Sequence, residues 1–237
     1  MTTERRAHAG AIQFEERSDG PPVLTGYAAT FDAYSQNLGG FVEQIDRRAF
    51  NSTLGREGRV LAVFNHDENQ LLGASDAGTL RLSTDDVGLR YEIDLNMSDP
   101  DAQRVAAKVA RGDIRGSSFK FRTDTGGDEW SETDDGYPLR TLTSVRLFDV
   151  GPVTSPAYLG TAGEGAAVAL RSLADKVGRP IDELVEAASA NELRSLLVPS
   201  ADDAPASTPG DEWRHEVDEM QRRFDAIRRP EASPVTH

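Results

Sequence analysis

Short runs of alternating apolar and polar residues, separated by turn signals, fill the first part of this chain. Residues 11–14 alternate, and the turn residues Ser-Asp-Gly-Pro-Pro at positions 18–22 separate them from a second run at 23–31. Residues 60–64 are continuously apolar, which is typical of a strand buried on both faces. The pattern predicts a β-rich domain in which a few helices accompany the strands.

Two helices are predicted among these strands. Ser98, Asp99 and Pro100 form a helix start with a side-chain cap and a proline in the first turn, and Gly112 ends this helix. A shorter helix is predicted over residues 46–54 with Asp46 as its N-cap. The fold class that follows is α+β.

The composition changes after Tyr158. The successive segments are a connection at 160–165, a helix at 180–197, a linker with three prolines at 199–210 and a charged helix at 211–229. We therefore predict one domain over residues 1–160, followed by a linker and helical tail over 161–237 that is partly disordered.

Charge and composition exclude several classes of function. The net charge of −14 opposes a nucleic-acid surface, because phosphate binding needs clustered Lys and Arg. The chain has no cysteine, so disulfides and thiol nucleophiles are excluded, which fits a reducing cytoplasm. Residues 1–10 are charged and predicted to be irregular, and no apolar run reaches membrane-spanning length. We expect no membrane partner.

Residues 116–121 (GSSFKF) are predicted to start a strand. Phe119 and Phe121 lie on one face of it, and Ser118 and Lys120 on the other. Ser117 and Ser118 therefore point in opposite directions, and only one of them can act as a nucleophile. Either serine can equally be a structural residue at a strand start.

A serine nucleophile needs a base, which is usually histidine. Of the four histidines, His8 lies in the irregular N-terminus, His215 lies in the charged tail helix and His237 is the last residue. Only His66 follows core-like sequence. The alternative is a strand-end histidine that contacts solvent or Asp67.

Asp149 lies in an apolar run, where a carboxylate is costly to bury without a partner. Residues 139–150 are predicted as one long strand with Leu147 and Asp149 on the same face, broken by the Gly-Pro pair at 151–152. The polar segment 124–136, which carries Trp130, is predicted to be an exposed loop. Asp149 either orients His66 or accepts main-chain amides at the turn that follows.

The combination of Ser118, His66 and Asp149 points to a Ser-His-Asp arrangement. There is no G-x-S-x-G elbow, P-loop or dinucleotide fingerprint. His66 and Asp67 are possible metal ligands, but no second histidine lies in a region that we predict to be ordered. We therefore expect no metal. No cofactor is implied.

The chain resembles the prohead (capsid maturation) serine proteases of tailed bacteriophages, which are similar in fold to the herpesvirus assembly protease. The resemblance covers about residues 10–160. It is carried by four motifs: GYAATF at 26–31, FNHD at 64–67 followed by LG at 72–73, GSSFKF at 116–121 and LFDVGPVTSPAY at 147–158. It implies a barrel-like domain with a few flanking helices.

The resemblance also implies roles for individual residues. Ser118, directly before the phenylalanine of its motif, is the nucleophile, His66 is the base and Asp149 orients the base. The family often has glycine at the position of Lys120 and glutamate at the position of Asp149. The candidate oxyanion donors are main-chain amides near Ser118 and the side chains of Arg140 and Arg146. The alternative for the two arginines is that they are charged residues on the strand surface.

By the same resemblance the chain is an endopeptidase. It cuts capsid-protein precursor and scaffold segments, and itself, within the assembling procapsid in the host cytoplasm. The resemblance also implies that the chain forms a homodimer. The alternative is a catalytically inactive relative that serves as a scaffold or assembly chaperone, and a third possibility is a binding module in which His66 and Ser118 are structural.

Overall fold

The computed structural model describes residues 3–10, 12–55, 58–155 and 164–197. The strands are β1 (Glu4–Ala9), β2 (Gln13–Glu15), β3 (Val23–Thr30), β4 (Val42–Ile45), β5 (Leu61–Val63), β6 (Leu71–Ala74), β7 (Leu80–Thr84), β8 (Gly88–Asp94), β9 (Gly116–Thr123), β10 (Asp128–Glu132), β11 (Pro138–Leu142) and β12 (Val145–Val153). The helices are α1 (Asn51–Leu54), α2 (Pro100–Arg111), α3 (Glu164–Val177), α4 (Ile181–Ser189) and α5 (Arg194–Leu197).

The strands form three open sheets. Their orders are β1-β9-β12-β5-β6, β2-β3-β8-β7 and β10-β11-β4. The α+β class is confirmed, but the expected barrel is not found, because β1 and β6 end the five-stranded sheet without pairing to another described strand. In this sheet β12 is antiparallel to β9 and parallel to β5.

The main core contains the inward faces of the five-stranded and four-stranded sheets. Phe119 and Phe121 on β9 are buried and stack at 4.9 Å between ring centroids, and Tyr91 on β8 belongs to the same cluster. Aromatic side chains of this size bury large apolar areas and so dominate the energetics of a core. This packing fixes which face of β9 turns outward.

The α2 helix begins and ends as its sequence predicts. Asp99 caps it by accepting a hydrogen bond from the Asp101 main-chain N–H, and Gly112 ends it with a left-handed φ of 83°. The α1 helix is shorter than expected and begins after Phe50. The predicted N-cap role of Asp46 is wrong, because its carboxylate accepts from the Arg48 main chain outside the helix.

Two expectations about the middle of the chain are wrong. The segment 124–136 is not simply a loop, because it contains β10, and Trp130 on that strand packs 5.0 Å from the Phe41 ring. The predicted strand over 139–150 is divided into β11 and β12. In addition, β12 continues through the Gly-Pro pair at 151–152 as far as Val153.

The N-terminal segment, expected to be irregular, forms β1 and pairs antiparallel with β9. Its inward side chains are charged: Glu4 and Arg6 are buried and form ion pairs with each other. Charged inward positions hide the apolar alternation by which a strand is usually recognised. This is why the sequence shows no strand there.

The tail expectations are only partly covered by the described residues. Within the predicted helix at 180–197 lie α4 and α5, and α3 begins inside the predicted connection at 160–165. Leu173 of α3 and Leu184 of α4 are buried in a second cluster with Phe41. The linker at 199–210 and the helix at 211–229 lie outside the described residues, and the boundary at residue 160 stays a prediction. None of the described helices has the length and hydropathy to cross a bilayer.

Candidate active site

Three neighbouring strands bring Ser118, His66 and Asp149 together. Ser118 lies on β9, Asp149 lies on the central strand β12, and His66 follows β5 on the far side of β12. The His66 Nε2 atom is 2.6 Å from Ser118 Oγ, and its Nδ1 atom is 2.6 Å from Asp149 Oδ1. A serine hydroxyl, an imidazole and a carboxylate in this order form the arrangement that activates a serine nucleophile.

A bulge in β12 turns Asp149 toward His66. The pairing register between β9 and β12 shifts between Leu147 and Asp149, so that Leu147 lies opposite Phe121 and Asp149 lies opposite Lys120. A bulge places an extra residue in one strand and reverses the alternation beyond it. The prediction that Leu147 and Asp149 share a face is therefore wrong, and only the reversed side reaches His66.

A tight turn after β5 positions the imidazole. Asn65 and His66 both have left-handed φ values, 55° and 59°. The Asn65 side-chain oxygen accepts a hydrogen bond from the Thr154 main-chain N–H at 2.9 Å, and the Asn65 main-chain N–H donates to the Pro152 carbonyl at 3.0 Å. These bonds tie the turn to the end of β12 and stabilise a backbone conformation that non-glycine residues rarely adopt.

Close approach of β5 and β12 depends on Gly151. A Cβ at this position would collide with the Val63 carbonyl oxygen, and its φ of 155° is one that L side chains rarely adopt. The glycine thus lets the strand that precedes His66 lie directly against the strand that carries Asp149.

Ser117 and Ser118 point to opposite faces, as predicted. The Ser117 hydroxyl lies in the core, 2.9 Å from the Tyr91 hydroxyl. Burial raises the pKa of Tyr91, and the hydrogen bond with Ser117 opposes that rise. Ser117 is therefore satisfied by a core tyrosine, and Ser118 alone lies beside His66.

The three side chains are covered, and β1 contributes to the cover. Ser118 is 0% exposed, and the side chains of His66 and Asp149 are each 3% exposed. Ala7 on β1 lies opposite Ser118, and the Arg6 main-chain oxygen is 2.7 Å from Ser118 Oγ. The single Ser118 proton thus has two neighbouring acceptors, the Arg6 carbonyl and His66 Nε2. This contact was missed because β1 was missed.

Arg140 is not a strand-surface residue. It is fully buried, and its guanidinium donates to Glu4, Glu43, Asp128 and Thr123 at 2.7 to 3.2 Å. These bonds occupy its donors. Arg140 therefore stabilises buried carboxylates and has no donor available for an oxyanion at Ser118.

Asp128 shows how strongly Arg140 acts. Burial raises the pKa of Asp128, but the charge and hydrogen bond of Arg140 more than offset this, so that the pKa lies below its usual value. The Ser172 hydroxyl also donates to this carboxylate. Together these groups keep a buried carboxylate ionised.

Within the described ranges, no three His, Asp or Glu side chains lie close enough together to hold a metal ion.

Comparison with known protein families links this geometry to a biological class. The model of the caudovirus prohead serine proteases matches residues 11–176, which is more than half of the chain and includes His66, Ser118 and Asp149. The chain belongs to the caudovirus prohead serine protease family. It is therefore a serine peptidase of phage capsid maturation. No curated protein and no solved structure matches the chain, so the likeness of this prohead protease to the herpesvirus fold stays a prediction.

Proposed function

We propose that Ser118, His66 and Asp149 form the catalytic triad of this prohead protease. The observation that carries the proposal is the continuous hydrogen-bonded chain from Asp149 through His66 to Ser118. The three residues come from separate parts of the sequence, with separations of 52 and 83 positions from His66. A serine, a histidine and an aspartate that are distant in sequence but joined by hydrogen bonds support a catalytic role more strongly than each residue does alone.

Each residue has a defined role in peptide hydrolysis. Ser118 Oγ attacks the carbonyl carbon of the scissile bond while His66 Nε2 takes its proton. The imidazolium then donates that proton to the leaving amine, and an acyl-enzyme remains on Ser118. Water, deprotonated by His66, releases the second product. Asp149 accepts the Nδ1–H bond, which sets the tautomer of His66 and stabilises its charged form.

The oxyanion needs donors that Arg140 does not supply. Arg146 lies opposite Arg122, four residues from Ser118 along β9, which is about 13 Å in an extended strand. That distance is too long for direct contact with an oxyanion at Ser118. We therefore assign the donors to main-chain N–H groups near Ser118.

Catalysis also requires a change at β1. The Arg6 carbonyl competes with His66 for the Ser118 proton, and β1 covers one side of β9. Its oxygen, rather than its carbonyl carbon, faces the nucleophile, so this contact is not an attack geometry. We infer that the substrate displaces this carbonyl when it binds.

The family points to capsid protein in the prohead as the substrate. We propose that the chain trims the capsid precursor or its scaffold segment inside the assembling capsid, in the host cell. We also propose that it cuts itself within 160–165 or 199–210. Self-cleavage is contradicted if purified protein that trims precursor stays full-length by mass through a long incubation.

The test is co-expression with the cognate capsid precursor and intact-mass measurement of the products. The unaltered chain should trim the precursor, Ser118→Ala should leave it whole, and Ser117→Ala is the matched control that should still trim. If neither the unaltered chain nor Ser118→Ala trims, yet particle assembly still depends on the protein, the inactive scaffold is the better explanation.

A further inference from the structure

Basic side chains gather on the outward face of the sheet, the face toward which Ser118 points. Pairing places Arg5 of β1 opposite Lys120 of β9, and Arg146 of β12 opposite Arg122 of β9. Lys120 and Arg122 follow Ser118 at two-residue steps and so share its face. We call these four residues the basic patch.

Three of the four basic side chains in the patch lack a charge partner among the described residues. Arg5 and Arg146 are exposed, and Lys120 and Arg122 are half-buried. Arg5, Lys120 and Arg146 make no side-chain hydrogen bond or ion pair with any residue that the structure describes. The carboxylate opposite Lys120 is that of Asp149, which is engaged by His66. Positive charge therefore accumulates here in a chain whose net charge is −14.

Such an arrangement is unfavourable unless something binds to it. Like charges directly opposite each other in neighbouring strands repel, at a cost of some tenths of a kcal/mol or more per pair. Arg5 and Lys120 form such a pair, and Arg146 adds a third positive charge beside them. An acidic ligand laid along this face relieves this repulsion, and the position beside Ser118 suggests that this ligand is the substrate.

We propose that the basic patch binds Asp and Glu side chains of the polypeptide segment that is cut. Lys120 lies about 7 Å from Ser118 along β9, and Arg122 lies about 13 Å away, so the acidic residues fall within about four positions of the scissile bond. This inference deepens the proposed function and rests on it, since it assumes that Ser118 is the nucleophile.

The preference has a direction. In the other direction along β9 from Ser118 the outward pair is Gly116 opposite Val153, which carries no charge. An extended segment crossing Ser118 thus meets the basic patch on one side of the scissile bond only. Acidic residues are expected on that side, and no acid preference is expected on the other.

The experiment uses the cognate capsid precursor and the full chain. The cut is mapped by intact mass, and Asp and Glu within four residues of it are changed to Asn and Gln, one side at a time. The changes on one side should slow trimming several-fold, and those on the other should have little effect. Raising the salt concentration should reduce the difference, because exposed charges are screened.

A charge swap identifies the enzyme's part. Lys120→Glu should trim the natural precursor about tenfold more slowly and should recover on a precursor whose flanking acids are replaced by Lys. Arg17→Glu makes the same charge change at an exposed position on the segment between β2 and β3, and should trim both precursors as the unaltered chain does.

Each outcome of these experiments supports or overturns the inference, the proposed function or both. A precursor trimmed at a site without flanking acids, or trimmed equally well by Lys120→Glu, overturns the inference and leaves the proposed function intact. A precursor that the unaltered chain does not trim overturns the proposed function, and the inference with it. One-sided dependence on acids, reversed by the swap, supports both.

Discussion

A one-residue irregularity in β12 determines where the Asp149 carboxylate points. Without the bulge between Leu147 and Asp149, the carboxylate would enter the apolar core, where an unpaired charge is costly. With it, Asp149 is buried at 2% exposure but meets the His66 imidazole. The bulge therefore both buries the Asp149 carboxylate and brings it to its partner, the His66 imidazole.

Replacing Asp149 by Asn tests its role in orienting His66. The amide keeps the size of the side chain but can donate to Nδ1, which favours the tautomer that cannot accept the Ser118 proton. We expect precursor trimming to slow by about 10³- to 10⁴-fold, as removal of the charge does in other serine proteases.

The matched control is Asp76→Asn, since that aspartate is half exposed and its ion pair within the described residues is with the exposed Arg59. It should trim at the rate of the unaltered chain. If Asp149→Asn trims equally fast, the third catalytic position belongs to another residue.

At this scale, the sequence is informative about chemistry and poor on geometry. The sequence allowed three candidate site residues to be chosen, because each combines a reactive group with core-like neighbours: His66, Ser118 and Asp149. The bulge could not be predicted, because the sequence of residues 145–153 does not show which residue of β12 is left unpaired and where the inward and outward positions therefore change over. Alternation alone therefore assigned Asp149 to the wrong face.

At the scale of elements, β1 links the ion pairs of the interior to Ser118. Arg6 donates to Glu43 through Nε at 2.7 Å and to Glu4 at 2.8 Å, while its own carbonyl oxygen lies beside Ser118. Burial lowers the pKa of Arg6, and the two glutamates more than offset this, so its pKa is raised overall. The guanidinium therefore stays charged and anchors the strand.

Arg6→Ala should loosen β1 and uncover Ser118. Removing one partner from buried ion pairs costs about 3 kcal/mol, because Glu4 and Glu43 lose compensating charge. We expect faster amide hydrogen exchange in β1 and labelling of Ser118 by a serine-reactive phosphonate that is faster by one to two orders of magnitude, roughly the same free energy.

The neighbouring Arg5→Ala is its control. Arg5 is exposed and has no ion pair with the described residues, so exchange in β1 should change little. If Arg6→Ala raises exchange while labelling of Ser118 stays slow, β1 does not shield the nucleophile.

The same strand should respond to pH through His8. Burial lowers the pKa of His8, and a hydrogen bond with the Ala28 main chain opposes this. The His8 Nδ1 atom is buried without a hydrogen-bond partner among the residues that the structure describes. Because its folded pKa lies below the ordinary value of 6.5, the unfolded strand binds more protons below that pH. Stability of β1 is then constant above about pH 6.5 and decreases as the pH falls below it.

Hydrogen exchange in β1, corrected for intrinsic rates, measures this effect between about pH 7.5 and 5.5. His8→Phe should remove the pH dependence while keeping the apolar volume. An unchanged dependence in His8→Phe would assign the effect to another group.

Elements were predicted well where their own residues specify them. Asp99, Pro100 and Gly112 locate α2 because caps and turn residues act locally. The β1 and β10 strands were missed because their inward residues, such as Arg6 and Asp128, are charged and form ion pairs with residues on other strands. Tertiary ion pairs leave no periodic signal in a single sequence.

At the scale of the whole molecule, Arg140 joins elements that belong to different sheets. Its guanidinium contacts Glu4 of β1, Glu43 of β4 and Asp128 of β10, and Ser172 of α3 donates to the same Asp128. The three carboxylates are almost fully buried, and Arg140 is the cation that they share: Arg6 also pairs with Glu4 and Glu43, and Lys176 also pairs with Asp128.

Arg140→Met should lower the free energy of unfolding by about 3 to 5 kcal/mol, because three buried carboxylates lose the cation that they share. Urea denaturation followed by circular dichroism measures the loss. Arg146→Met removes an exposed arginine from the same part of the chain and should change stability by no more than about 0.5 kcal/mol. Equal losses in the two variants would show that the buried cluster contributes no special stability.

The arrangement of sheets was the least predictable feature. The succession of strands indicated an α+β chain, but whether a sheet closes depends on its edge strands, and one of these, β1, was not recognised. Pairing between strands far apart in sequence is decided by packing over the whole domain rather than by local residues.

The position of β12 has a consequence for the order of synthesis. It is the last strand of the five-stranded sheet to leave the ribosome, yet it lies between the strand that carries the serine and the strand that precedes the histidine. A nascent chain that ends before residue 145 holds Ser118 and His66, the proposed nucleophile and base, on two strands with nothing to join them. We therefore expect proteolytic competence to begin only after translation has passed β12, so that unfinished chains are spared from cutting their neighbours.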